Sequence, residues 1–277
     1  MGDERKVADM TDPMVEDAMV EIQDLTKRFD TAGESRLVLD SVSFRADAGE
    51  FVSVIGPSGC GKSTIFNVLA GLESPTSGSV RVGTRATESE AAAEVHTAYM
   101  PQKDLLFPWR SVLDNTALGL EVQGVGKKEA RERARELFPA FGLSGFEDAR
   151  PSQLSGGMRQ RAAMLRTVVQ GKPVLLLDEP FGALDSLTRT EMQAWLQDVW
   201  QQYRWTVLMI THDIREAIYL SDRVVVLSAR PATVRCVVDV PLPRPRELDM
   251  ITAPEFADVE RELLAVLHDE TRKSLRP

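Results

Sequence analysis

Residues 56–64 read GPSGCGKST, so the spacing G-x-x-x-x-G-K-[ST] falls on Gly56, Gly61, Lys62 and Ser63. The run before it, Phe51-Val52-Ser53-Val54-Ile55, is apolar and rich in β-branched residues, the pattern of a buried strand. The run from Ile65 to Ala70 after it reads as a helix stopped at Gly71. Strand, glycine loop and helix are the setting in which this spacing makes a phosphate-binding loop. Glycines, lacking side chains, let backbone N–H groups turn inward onto phosphate oxygens. The helix N-terminus adds donors and a partial positive charge. Gly56, Pro57, Ser58, Gly59, Cys60, Gly61, Lys62, Ser63 and Thr64 therefore form the first candidate site. There Lys62 can reach the β- and γ-phosphates of a nucleotide, and the Ser63 hydroxyl can ligate Mg²⁺.

The bulk numbers narrow the classes. At 277 residues, 43% hydrophobic and 27% charged, the chain can bury a full core. No apolar run approaches the length needed to span a bilayer, about 18 residues or more. The polar, acidic stretch from Met1 to Asp17 lacks the basic-then-apolar order of a secretory signal and reads as a loose tail over 1–18. A cytoplasmic protein is expected, touching a membrane only through a partner. Cys60 and Cys236 are expected as free thiols, since a disulfide at Cys60 would obstruct the phosphate loop. Three histidines with no Cys/His cluster argue against zinc. A net charge of −9 disfavours a general nucleic-acid binder.

The rest of the chain alternates strands and helices. Strands are expected at 19–29, 42–45, 78–83, 97–100, 174–177, 206–210, 224–227 and 234–240. Helices are expected at 112–141, ended or kinked at Pro139, and at 156–169, 186–203, 213–220 and 256–268. The acidic, alanine-rich stretch 88–94 suggests a surface turn or short helix. Pro241, Pro243 and Pro245 make a stiff connector. This order predicts an α/β core with a mostly parallel sheet and a mainly helical insert over about 103–170.

Asp178 closes the apolar run Val174-Leu175-Leu176-Leu177, and Glu179 follows it. A carboxylate at the end of a buried parallel strand sits where nucleotide sites form. Asp178 would hold Mg²⁺, and Glu179 would polarise a water for attack on the γ-phosphate. Residues 154–158 read LSGGM, where Ser155 would cap a helix opened by Gly156 and Gly157, a second anion-binding device.

A phosphate loop, then Gln102, LSGG, Asp178-Glu179, Ala183-Leu184-Asp185 and His212 occur in the order seen in the ABC (ATP-binding cassette) ATPases, and the chain resembles that family from about Met19 to Leu227. The resemblance implies a P-loop NTPase core of ABC ATPase type with an antiparallel β subdomain and a helical subdomain. It implies an ATP-binding domain over 19–240 and a C-terminal extension, 241–277, with an amphipathic helix. It also implies a homodimer stacked head to tail around two ATP molecules, each lying between the phosphate loop of one copy and Ser155, Gly156 and Gly157 of the other. Phe29 matches the aromatic position that stacks on adenine. Gln102 matches the glutamine that touches Mg²⁺ and the attacking water. Glu179 matches the general base, His212 the histidine on the γ-phosphate, and Asp185 the loop that speaks across the dimer. Met158 departs from the family's usual glutamine.

The stretch Phe181-Gly182-Ala183-Leu184-Asp185 resembles importers more than exporters, and Leu105-Leu106-Phe107-Pro108-Trp109-Arg110 resembles the branch serving nitrate, sulfonates, taurine and pyrimidine or thiamine precursors. That branch implies integral membrane permease subunits, an extracytoplasmic substrate-binding protein, and a peripheral position on the cytoplasmic face of the cell membrane. Leu105 and Trp109 would line the groove for a short permease helix, or would simply pack the insert. The other class considered is a soluble mechanoenzyme acting on DNA or the ribosome. Such relatives usually carry a long coiled-coil insertion or two fused cassettes, whereas here Gln102 to Ser155 spans only 53 positions and the sequence shows one phosphate loop.

Overall fold

The structure, a computed structural model, describes residues 20–31, 34–83 and 96–274. The tail at 1–18 and the acidic stretch at 88–94 lie outside the described residues. The chain opens with β1 (Val20–Thr31) and β2 (Glu34–Ala46), then β3 (Phe51–Ile55), α1 (Lys62–Leu69), β4 (Ser77–Val82) and β5 (Thr97–Met100). A helical segment follows: α2 (Val112–Thr116), α3 (Leu118–Val122), α4 (Lys127–Leu137) and α5 (Gly156–Val168). The chain then returns through β6 (Val174–Asp178), α6 (Ser186–Tyr203), β7 (Thr206–Ile210), α7 (Ile214–Leu220), β8 (Arg223–Leu227), β9 (Val234–Asp239) and α8 (Pro254–Ser274).

Two sheets carry the architecture. A six-stranded sheet runs β5-β6-β7-β3-β8-β9, and a three-stranded one runs β2-β1-β4. Within the larger sheet every pairing is parallel except β8 with β9. The smaller sheet is antiparallel throughout. Strand β3 shows why its sequence is nearly all apolar. Phe51 and Ile55 face a core shared with the helices, including Val112, Leu165 and Trp200. Val52 and Val54 face the opposite core, which holds Val20, Ile22 and Leu39 of the antiparallel sheet. With both faces covered, alternation disappears and a continuous apolar run results. The same holds for β6 and β7, buried along their whole length.

The structure corrects two expectations. The single helix expected over 112–141 is three short helices, because the segment turns at Ala117 and again at Gly124, whose φ is 88°. A left-handed glycine stops a helix at no steric cost. The strand expected at 42–45 is only the end of β2, which begins at Glu34. Ser41 has φ 51° and the pairing with β1 shifts register nearby, so the period-two pattern is readable only beyond it.

The C-terminal helix α8 is amphipathic, and buries Phe256, Val259 and Leu263 in the helix-side core. Arg215 of α7 meets Glu260 of α8 through two hydrogen bonds of 2.8 and 3.4 Å. The proline-rich connector before α8 is held by arginines. Arg244 bonds Asp222 at 2.8 Å and lies 4.1 Å from the Trp200 ring centre, while Arg246 donates to the carbonyls of Ile218 and Ser221, each at 2.6 Å.

Candidate functional site

Parallel strands deliver the candidate residues to one edge. Gln102 follows β5, Asp178 and Glu179 close β6, His212 follows β7, and the phosphate loop follows β3. These strands are neighbours in the order β5-β6-β7-β3, so residues distant in sequence line up along the carboxyl end of one sheet. Ligands bind there in open α/β sheets.

The phosphate loop is shaped by what surrounds it. Gly61 has φ 129°, and a Cβ there would come within 2.8 Å of Leu39 and 3.0 Å of Val38. Only glycine fits that turn under β2. Lys62, almost fully buried, donates to the carbonyls of Gly56 at 2.8 Å and Pro57 at 3.1 Å. Its ammonium is thus folded over the mouth of its own loop. Cys60 is buried and unpaired, and desolvation pushes its thiol pKa up, so it is a packing residue rather than a reactive thiol. Ser58, Gly59 and Ser63 are exposed, and Pro57 and Thr64 partly so.

Glu179 is the centre of the polar cluster. It leaves β6 with φ 46°, a left-handed conformation that costs a non-glycine residue about 1–2 kcal/mol. Its N–H donates to Ile210 at 2.9 Å, and its carbonyl accepts from Gly182 at 3.1 Å, which fixes the sharp turn. Its Oε2 accepts from Gln102 Nε2 at 2.8 Å and lies 3.5 Å from Nδ1 of His212. Among the described residues no hydrogen bond occupies Oε1. One carboxylate therefore joins three strand ends and keeps an oxygen open.

Asp178 sits one residue back and is largely buried. Burial pushes its carboxyl pKa up, opposed by hydrogen bonds from Ser63 and Tyr99 and by the Lys62 charge. Tyr99 donates to Asp178 at 3.2 Å, and burial pushes its phenol pKa well up. Ser63, Asp178 and Gln102 offer a hydroxyl, a carboxylate and an amide, the hard oxygen set that suits Mg²⁺.

Other candidates stand elsewhere. Ser155 caps α5 by accepting from Met158 N–H at 3.2 Å. Gly156 faces Leu184, and Gly157 faces Thr188 and Met192, with no phosphate-loop atom within 4 Å of the Cβ position at Gly156. Asp185 caps α6 through Thr188 N–H at 3.1 Å. Phe29 is half-buried, with the Lys27 ammonium 4.8 Å from its ring centre. One chain thus gathers Gln102, Asp178, Glu179 and His212; Gly156 lines a groove with Gln102 and Gly182, while Ser155 and Asp185 serve as helix caps.

A family model described as ABC transporter matches residues 39–182. Over 236 residues the chain is 41% identical to the formylaminopyrimidine import ATP-binding protein ThiZ of Halalkalibacterium halodurans, covering 84% of this chain and 91% of that one. The chain belongs to the ABC transporter ATP-binding family. It is likewise 38% identical over 246 residues to the aliphatic sulfonates import ATP-binding protein SsuB of Bacillus cereus, covering 88% of this chain and 94% of the relative. An ATP-binding cassette solved as a dimer in a post-hydrolysis state with ADP and Pi aligns with TM-score 0.68 at 30% identity. That alignment covers 81% of this chain and all of the other. The chain is an ABC ATPase in fold and family.

This ABC ATPase exposes an apolar edge beside the glutamine loop. Trp109 is 69% exposed and stacks on Phe107 with ring centres 5.1 Å apart. The loop is pinned from beneath by Asn115, fully buried, which accepts from Phe107 N–H at 2.7 Å and donates to Phe107 and Ser111 carbonyls at 3.1 and 2.9 Å. Leu105 is also exposed, with φ 45°. Among the described residues no helix is long and apolar enough to cross a membrane. Sequence reasoning missed Tyr99 as a partner of Asp178. Its signal was absent, since the contact depends on β5 lying beside β6.

Proposed function

We propose that the chain is the ATP-hydrolysing subunit of an importer for a small solute, and that it works as a homodimer. Its catalytic unit spans about residues 19–240, with the helical insert at about 103–170 and an extension at 241–277. It sits on the cytoplasmic face of the cell membrane, bound to integral permease subunits that receive substrate from an extracytoplasmic binding protein. The observation that carries this reading is the Glu179 carboxylate, shared by Gln102 and His212 beside the phosphate loop.

The residues divide the chemistry as follows. Lys62 leaves the Gly56 and Pro57 carbonyls when a nucleotide offers phosphate oxygens, a stronger charge-assisted partner. The inward N–H groups of Pro57–Thr64, proline excepted, bind the phosphates. Phe29, whose ring lies 4.8 Å from the Lys27 ammonium, stacks on the adenine. Ser63, Asp178 and Gln102 would hold Mg²⁺, which would supply positive charge to offset that of the phosphates. Glu179 takes the proton of the attacking water on Oε1, while Gln102 and His212 hold its other oxygen. Ser155, Gly156 and Gly157 complete the site from the partner copy, and Asp185 links the two copies. The exposure of Ser155 and Asp185 at helix starts supports that role. Leu105 and Trp109 receive the permease.

The solute follows the relatives' names only to a class. One imports formylaminopyrimidine and another aliphatic sulfonates, so a small polar solute of nitrate, sulfonate, taurine or pyrimidine-precursor type is the reading. To test it, the tagged Glu179→Gln variant is extracted from native membranes with ATP and Mg²⁺ and its partners are identified. A polytopic permease supports the importer. Ribosomal or nucleoid partners without a permease overturn it.

A further inference from the structure

Strand β8 is the neighbour of β3 on the side away from β7, so the loop after β8 lies beside the phosphate loop. That loop, 228–233, carries Arg230, whose Nη2 donates to the carbonyl of Gly59 inside the phosphate loop. Gly59 has φ 70°, and its Cβ position opens towards Arg230 Nη2 at 3.9 Å, with nothing else within 4 Å. A loop that turns its N–H groups inward onto phosphates turns carbonyls outward. Arg230 holds one of those carbonyls from outside, on the opposite side from the Glu179 cluster.

The arginine is not on a loose arm. Ala232 is fully buried; its N–H donates to Val38 at 2.9 Å and its carbonyl accepts from Asp40 at 2.9 Å, which ties the loop to β2. Ser228 Oγ accepts from Thr233 N–H at 2.9 Å and donates to the Ala229 carbonyl at 2.8 Å. Ala229 N–H donates to Glu270 of α8 at 3.3 Å, and the other oxygen of that buried carboxylate holds Arg235 of β9 at 2.9 Å. A continuous path of contacts runs from the C-terminal helix through Glu270, the Ala229 peptide and Arg230 to Gly59.

We propose that Arg230 is a positioning residue for the phosphate loop, and that Glu270 couples the C-terminal helix to nucleotide affinity through it. This rests on residues 56–64 being the nucleotide's phosphate loop. When ATP draws Lys62 off its own carbonyls, Arg230 keeps the outer side of the loop in its bound shape. The loop then does not have to order itself on binding, which is the gain from pre-organisation. Arg230 touches neither the γ-phosphate nor the water, so its loss affects affinity rather than the chemical step.

The test uses the full chain at fixed protein concentration, with KM for ATP, kcat and Tm measured together. Arg230→Ala raises KM about three- to tenfold, the effect expected of one ordinary, solvent-exposed hydrogen bond, with kcat within about twofold. Arg230→Lys, which keeps a donor and the charge, recovers at least half of the change on a logarithmic scale. Glu270→Ala raises KM in the same direction, and the Arg230→Ala/Glu270→Ala double variant is no worse than Arg230→Ala alone. An unchanged KM in a turnover-competent Arg230→Ala chain overturns the proposal, as does a loss confined to Tm. Additive effects of the two substitutions overturn the link to α8. Lys62→Ala separates the two readings: if it turns over normally, the phosphate-loop reading fails and this inference with it.

Discussion

Gln102 Nε2 donates to Glu179 Oε2 at 2.8 Å, bridging the ends of two adjacent parallel strands. The bond connects the carboxylate next to the phosphate loop with the residue that leads into the helical segment. An event felt in that segment can therefore reach the carboxylate through one side chain. Gln102→Ala removes the bond and leaves Glu179 held by His212 alone. The expected outcome is a kcat lower by about tenfold or more, with a smaller change in KM, since the lost contact orients the proposed proton acceptor. Steady-state phosphate release checks it.

Lys62 is the residue whose replacement should be most damaging to nucleotide binding. It is buried over its own loop, and its two contacts are to backbone carbonyls. Lys62→Ala removes the ammonium of the phosphate loop itself, so ATP binding weakens by at least about a hundredfold, the scale of two charge-assisted hydrogen bonds. Titration calorimetry with ATP reads this directly, and normal affinity would mean the loop is not the phosphate site.

Trp109 separates assembly from catalysis. Its ring is mostly exposed and stacks on Phe107, so Trp109→Ala changes stability by less than about 1 kcal/mol. ATP affinity should stay at the native level while transport, or recovery of the permease complex, falls. Loss of ATP binding in a folded Trp109→Ala chain would place the residue in the nucleotide site instead.

Glu216 makes stability depend on pH. It is buried behind Asp213 on α7, bonded by Gln193 at 3.0 Å, and desolvation raises its pKa from 4.5 to about 7. A carboxyl with a raised folded pKa holds its proton longer in the native state than in the unfolded one. Stability from this group is therefore greatest below about pH 4.5 and falls as pH rises through about 7. The expected loss across that window is about 3 kcal/mol. Glu216→Gln should flatten the fall, which urea titrations of both chains between pH 5 and pH 8 would show as curves that converge at low pH.

Local features of this fold were legible in the sequence, and neighbour relations were not. The runs at Phe51–Ile55 and Val174–Leu177 read as buried strands because both of their faces are covered. The phosphate loop was legible because glycine, lysine and serine are needed at fixed spacing. Helix breaks at Ala117 and Gly124 were not, since the apolar positions keep a helical period across them. Strand β2 was half visible, because the irregularity at Ser41 hides the alternation upstream of it. Tyr99 and Arg230 escaped for one reason: each acts through a strand adjacency, β5 with β6 and β8 with β3, that no local pattern encodes. Family resemblance supplied Gln102 and His212, which a reading of local chemistry alone would have left as a surface amide and a lone histidine.

The measurement that tests the account most directly is the mass in solution of Glu179→Gln with ATP and Mg²⁺, by size-exclusion chromatography with light scattering. In the proposed mechanism the substitution removes the proton acceptor while keeping an oxygen and the shape, so bound ATP is expected to persist between two copies. The account predicts a dimer that retains ATP, forms only with nucleotide, and shows hydrolysis reduced by at least about a hundredfold. A chain that binds ATP yet stays monomeric, or that hydrolyses ATP at the native rate, would contradict it.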